Sequence, residues 1–169
     1  MNIDPSAGEE LIGEYFKEKS IKFERESKIS KLDGDYADYR VADFYLPKYK
    51  VYVEFFGKWN VPKDREKYRK KKEIYEKNRI PCVYLYPDNL GILDIIFNRR
   101  LREVLSKYPN LKLQKFLYNL NIIFDRYGLW LIALIIGIYY TKDVKIRIIL
   151  SILLIYSLYL VMKSTFFKK

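Results

Sequence analysis

The chain has 169 residues, room for one ordinary domain and an appendage, and carries a formal charge of +11 with no histidine and a single cysteine. The missing histidine excludes Ser-His and Cys-His nucleophilic catalysis, histidine bases and His-ligated zinc, and Cys82 alone can make neither an internal disulfide nor a thiolate metal site. Any catalysis therefore runs on carboxylates, lysines and a metal ion, and the basic balance favours partners with phosphates, either nucleic acid or anionic lipid.

The first ten residues, MNIDPSAGEE, are polar and acidic where an export signal is basic and then apolar, so a cytosolic setting is expected for the first part of the chain. Ser6 followed by Glu9 is a capping-box pattern, and Leu11, Ile12, Tyr15 and Phe16 recur at helical spacing, which predicts a helix over 7–19. Glu9 lies on the side of Ile12 and Phe16 and leans inward, serving either as a cap or as a catalytic acid. Residues 21–29 alternate apolar and charged at first and read as a half-exposed strand, and Asp33-Gly34-Asp35 reads as a turn.

Two alternating runs, 40–46 and 51–56, flank the turn Pro47-Lys48-Tyr49-Lys50 and predict a β-hairpin. Each run carries one acid. Counting outward from a symmetric four-residue loop pairs 46 with 51 and 45 with 52, which sets Asp43 opposite Glu54 with Cβ atoms about 5 Å apart. Two carboxylates converging between apolar neighbours suggest a bound cation, the alternative being edge-strand acids paired with lysines, and hard divalent ions bind through one or two carboxylates plus water and phosphate oxygens. The expected cofactor is Mg²⁺ or Mn²⁺, held by Asp43 and Glu54 for metal-assisted phosphodiester hydrolysis.

From Pro62 the chain becomes a charged helix with nine basic and four acidic residues between positions 63 and 79. Tyr68 and Tyr75 share one face, with Lys71 and Lys72 between them, while most lysines of such a run are simply solvated. Residues 82–86 form a short apolar run between two prolines, consistent with a buried strand. Leu90, Leu93, Phe97, Leu101 and Val104 give an amphipathic helix ending near Pro109. The order is helix, strand, hairpin, helix, strand, helix, an α/β sandwich over residues 1–112.

The composition changes after Leu113. Segments 127–140 and 148–162 contain no charge, and extending them to 120–140 and 146–162 reaches the lengths needed to cross a bilayer. Trp130, Tyr139 and Tyr140 fit an aromatic belt. Residues 113–169 are therefore expected to form a two-span membrane hairpin. The basic flank before Tyr127 and the lysines at the end place the first domain and both termini in the cytoplasm, although Lys142, Lys145 and Arg147 in the loop oppose that orientation. The alternative is a buried helical hairpin packed on the first domain or in a homodimer.

With these residues in view, the first 105 or so positions resemble the PD-(D/E)XK nuclease superfamily, whose fold is restriction-endonuclease-like. The resemblance rests on Ala42-Asp43-Phe44-Tyr45-Leu46-Pro47, on Val51-Tyr52-Val53-Glu54-Phe55-Phe56-Gly57, on the preceding helix SAGEELIGEYF, and on the order of elements. It implies Asp43 and Glu54 as metal ligands and Glu9 as the helix acid that orients a metal-bound water or completes the metal shell. The sequence departs from the pattern two residues after Glu54, where the family's lysine is Phe56. Lys71 is the first-choice replacement, with Lys72 and Lys58 as alternatives, since a four-carbon stem can reach the site from a neighbouring helix.

Two functions follow as expectations. One is a membrane-anchored, metal-dependent nuclease, with DNA the favoured substrate and the basic residues Lys58, Lys70 and Lys72 on the phosphates. The other is a catalytically silent nuclease-like membrane protein that binds nucleic acid or anionic headgroups through its basic helix.

Overall fold

The structure, a computed structural model, describes residues 6–166. Helix α1 (Ala7–Glu18) starts at the capping box: the Ser6 hydroxyl accepts from the Glu9 N–H, and the Glu9 carboxylate accepts from the Ser6 N–H. It ends in a Schellman turn made without glycine. Ser20 takes φ 54°, and the Ile21 N–H donates back to the Phe16 carbonyl at 2.7 Å. This turn consumes Ile21, so strand β1 runs Glu24–Ser30 and not from 21 as the alternation suggested.

Strands β2 (Tyr39–Leu46) and β3 (Val51–Phe55) form the expected hairpin, with Leu46↔Val51, Tyr45↔Tyr52 and Phe44↔Val53 paired. Helix α2 (Pro62–Lys77) follows and ends in a second Schellman turn, with Arg79 at φ 54° and the Ile80 N–H on the Tyr75 carbonyl. Strand β4 (Cys82–Leu85) then adds to β3 in parallel, giving a mixed sheet in the order β1-β2-β3-β4. Residues Pro87–Ile92 are 3₁₀ and not the first turn of the next helix as expected, so α3 begins at Leu93 and ends at Lys107.

Side-chain alternation sends the two faces of the β2–β3 hairpin to different helices. Phe44 meets Phe16 of α1 at a ring distance of 5.4 Å, and Phe16 in turn meets Phe97 of α3 at 5.1 Å. On the opposite face Tyr52, Cys82 and Tyr84 pack around Tyr75 of α2. The result is a helix layer on either side of the sheet, with the core aromatic on the α1 side and polar at its centre on the α2 side.

The alternation slips at one place. Arg25 lies over Phe44 on the α1 side, yet Ile29, which should share its face, packs with Tyr75 of α2. Glu26 stands between them at φ 51°, and the β1–β2 ladder pairs Arg25↔Phe44 and Ser27↔Ala42 on either side of it. A left-handed residue in mid-strand turns the chain over. The residue opposite this irregularity is Asp43.

The chain divides into two compact units after Lys115, within helix α4 (Lys112–Tyr140). Helix α5 (Val144–Phe166) is joined to α4 by Thr141–Asp143 alone, a shorter loop than the composition suggested. Asp143 caps α5, its Oδ1 accepting from the Lys145 and Ile146 N–H groups at 2.8 and 3.3 Å, and Arg147 donates to the Thr141 carbonyl. Both helices are long and apolar enough to cross a membrane. Many of their apolar side chains are exposed: Leu129 is 87% exposed, and Ile132, Ile135, Ile152 and Ile155 each at least half. Trp130, also exposed, donates its indole N–H to the Ser157 hydroxyl at 3.3 Å across the hairpin, while Tyr139 and Tyr140 sit exposed at the loop end of α4.

Candidate active site

Three elements converge on Glu54. In β3 its side chain points at α2, and only 2% of it is exposed. Lys71 donates to Glu54 Oε2 at 2.7 Å and to the Val41 carbonyl at 2.8 Å, and the buried Tyr75 hydroxyl donates to Glu54 Oε1 at 2.9 Å. Both donors belong to one face of α2, four residues apart. A buried carboxylate needs such partners, because desolvation of an unpaired charge is prohibitive.

Asp43 reaches the same place by a different route. Tyr52 and Phe56 of the β3 segment donate to Pro81 and Leu85 on the β4 side, so the Phe55 N–H faces β2. Its acceptor is not a β2 carbonyl but Asp43 Oδ2, at 2.6 Å. The β2–β3 ladder thus stops one pair short of Asp43 and Glu54, and a side chain fills the gap. The register inferred from the sequence holds for the three observed pairs and opens where the acids stand.

Burial drives the electrostatics. It pushes the Glu54 carboxyl up to about 7; Lys71 opposes the rise, Asp43 adds to it, and the Lys71 and Tyr75 hydrogen bonds oppose it. The half-buried Asp43 is pushed up to about 6 by the same desolvation, against the pull of the Phe55 N–H and Lys71, with Glu9 adding to the rise. Two carboxyls face one ammonium, so ionising both leaves an excess of negative charge in a poorly solvated place.

Asp43 and Glu54 are the two residues that could hold a cation here. Asp43 Oδ1 takes no hydrogen bond among the described residues, and each Glu54 oxygen accepts one, leaving it a further lone pair. Among the described residues no group of three His, Cys, Asp or Glu side chains is close enough to hold a metal. Glu9 stands near Asp43 because α1 seats its first turn on β3, where a Cβ on Gly8 would collide with the Phe55 ring. Its carboxylate is held in the capping box.

No family model, curated protein or solved structure matches the chain.

The three candidate lysines separate cleanly. Lys71 is on Glu54. Lys72 turns away and sets its ammonium 5.3 Å from the centre of the Tyr84 ring, and Lys58 is exposed in the loop after β3 with its N–H on the Tyr68 hydroxyl. Lys70 is exposed and paired with Glu66 at 3.4 Å. Phe56, at the position of the expected motif lysine, is fully buried and stacks on Tyr68 at 4.4 Å. Tyr75 is the side chain on Glu54 that sequence reasoning passed over. Its seven-residue spacing from Tyr68 marked the face, but nothing in the sequence showed that its hydroxyl would meet an acid.

Proposed function

We propose that the unit preceding Phe116 is a divalent-metal-dependent nuclease, anchored in a membrane by α4 and α5. The observation that carries this reading is Lys71 of α2 standing on Glu54 beside Asp43. An acid pair and an ammonium are thereby assembled from separate elements, in the way the resemblance to PD-(D/E)XK nucleases implies. When bound, the cation supplies a Lewis acid for the phosphodiester and lowers the pKa of a coordinated water. The chain's own residues do the rest. Asp43 and Glu54 hold the ion, and Tyr75 fixes the rotamer of Glu54. Lys71 offers an ammonium to the charge that develops on the phosphoryl oxygens. The exposed lysines of α2 gather polyanion, so binding weakens as salt rises.

In this reading both ends of the membrane hairpin share one side, and the basic flank before Tyr127 puts that side, with the nuclease unit and both termini, in the cytoplasm. The second reading, a silent nuclease-like domain binding nucleic acid or headgroups, is favoured by one observation: the Lys71 ammonium already donates to two acceptors. The deciding experiment is Mg²⁺- and Mn²⁺-dependent cleavage of plasmid, linear duplex, single-stranded DNA and RNA by the full chain in detergent. Asp43→Ala, Glu54→Ala and Lys71→Ala are assayed beside it. Metal-dependent cleavage lost in all three supports the nuclease, whereas no cleavage by folded protein that gains no stability from metal selects the silent domain.

A further inference from the structure

The acid pair lies at the inner end of a graded face. Tyr75, Lys71 and Tyr68 follow one another along α2: Tyr75 is fully buried, whereas Lys71, its side chain 18% exposed, and Tyr68 are half-buried. Around Tyr68 three rings lie nearly parallel. Phe56 and Tyr68 are inclined by 12° at 4.4 Å, Phe56 and Trp59 by 13° at 6.0 Å, and Trp59 and Tyr68 by 24° at 6.5 Å. Phe56 is the buried floor, Trp59 and Tyr68 are the half-buried upper members, and Tyr86 meets Trp59 edge-on at 4.8 Å. Cations rim them: Arg65 donates to the Trp59 carbonyl at 2.8 Å with its guanidinium 5.7 Å from the indole centre, and Lys58 is exposed next door.

Nearly parallel, half-buried aromatic rings with cations beside them can serve as a stacking platform. A duplex offers them nothing, since its bases already stack on each other, whereas an unpaired base has a free π-face and a phosphate on either side. Resting on the nuclease reading above, we propose that the strand entering this site is single-stranded. One unpaired base beside the scissile phosphate stacks on Trp59 and Tyr68, and the flanking phosphates lie against Arg65 and Lys58. The aromatic group that replaces the motif lysine is then part of the substrate site.

The test is equilibrium binding without divalent metal, so that no cleavage intervenes. The full chain is held in zwitterionic detergent, and Trp130→Phe leaves Trp59 as its sole tryptophan. Trp59 fluorescence is titrated with a short single-stranded DNA, the RNA of the same sequence and the blunt duplex. Saturable quenching by the single strands, with the duplex at least about tenfold weaker at equal salt, is the expected result. Trp59→Leu, which keeps an apolar side chain but removes the π-face, should weaken single-strand anisotropy binding about 10–100-fold while Trp59→Phe retains most of it. Equal affinity for duplex and single strand, or unchanged binding by Trp59→Leu, overturns the proposal. Metal-dependent cleavage of duplex with no effect of Trp59 topples this inference alone. Trp59-dependent binding with no cleavage of any substrate topples the nuclease reading and leaves the strand site standing.

Discussion

The Glu54 carboxyl makes the stability of the first unit depend on pH in an unusual direction. Its protonation midpoint rises from the ordinary 4.5 in the unfolded chain to about 7 when folded. Between those values the folded protein keeps a proton that the unfolded chain has lost, so stability is full below about pH 4.5 and is lost as pH rises through 7. At about 1.4 kcal/mol for each pH unit of displacement, the loss from pH 5 to pH 8 is about 2–3 kcal/mol. Asp43, half-buried and shifted the same way, adds a smaller share. Urea unfolding of the Trp130→Phe protein in metal-free detergent, followed by Trp59 fluorescence, should show a midpoint falling by roughly 1–2 M across that range. The window avoids Asp35, whose bidentate bond from Arg40 holds its carboxyl low and loses its contribution only in more acid solution. Glu54→Gln should flatten the profile, and millimolar Mg²⁺ should flatten it too, because the cation does the proton's work. A midpoint that stays level or rises with pH in the metal-free protein, unaltered by Glu54→Gln, would refute the account of a desolvated acid pair.

Three further outcomes follow. Lys71→Met should lower cleavage by about 10²-fold or more, and adding Phe56→Lys should not restore it but destabilise the fold by about 3–5 kcal/mol, since Phe56 is fully buried among stacked rings; cleavage assays and urea titrations check both halves. Tyr75→Phe removes the donor to Glu54 Oε1, which should cost about 1–3 kcal/mol and move the alkaline shift of the Glu54 titration further up, seen as a displaced pH–rate profile. Lys142→Cys in a Cys82→Ser background should be labelled by a membrane-impermeant maleimide from outside intact cells; labelling only after permeabilisation would reverse the assigned orientation.

The hairpin and three pairs of its register were legible because period-two alternation is a direct consequence of backbone geometry. The limits of legibility are equally physical. Ser20, Glu26 and Arg79 adopt left-handed conformations at φ 51–54° without being glycine, so no sequence signal marked the two helix ends or the slip in β1. The register count ran on to Asp43 and Glu54, yet the ladder ends before them because Asp43 itself takes the Phe55 N–H. Phe56 stood out only as a missing lysine. Its place in an aromatic stack depends on Trp59, Tyr68 and Tyr86, which come from a loop, a helix and the residue that follows β4.

Placing the ammonium on α2, and not on the strand that carries Glu54, changes what keeps the site assembled. A strand lysine would be fixed by the sheet. Lys71 arrives only when α2 is docked, and that helix is highly charged, with Tyr75 its one fully buried residue. A brief opening of α2 would therefore remove the ammonium, the Glu54 clamp and one wall of the aromatic stack together. On the nuclease reading, competence would then depend on how often α2 opens, and amide exchange in α2 should track it. A polyanion or cation that favours the docked form would switch the centre on by stabilising it.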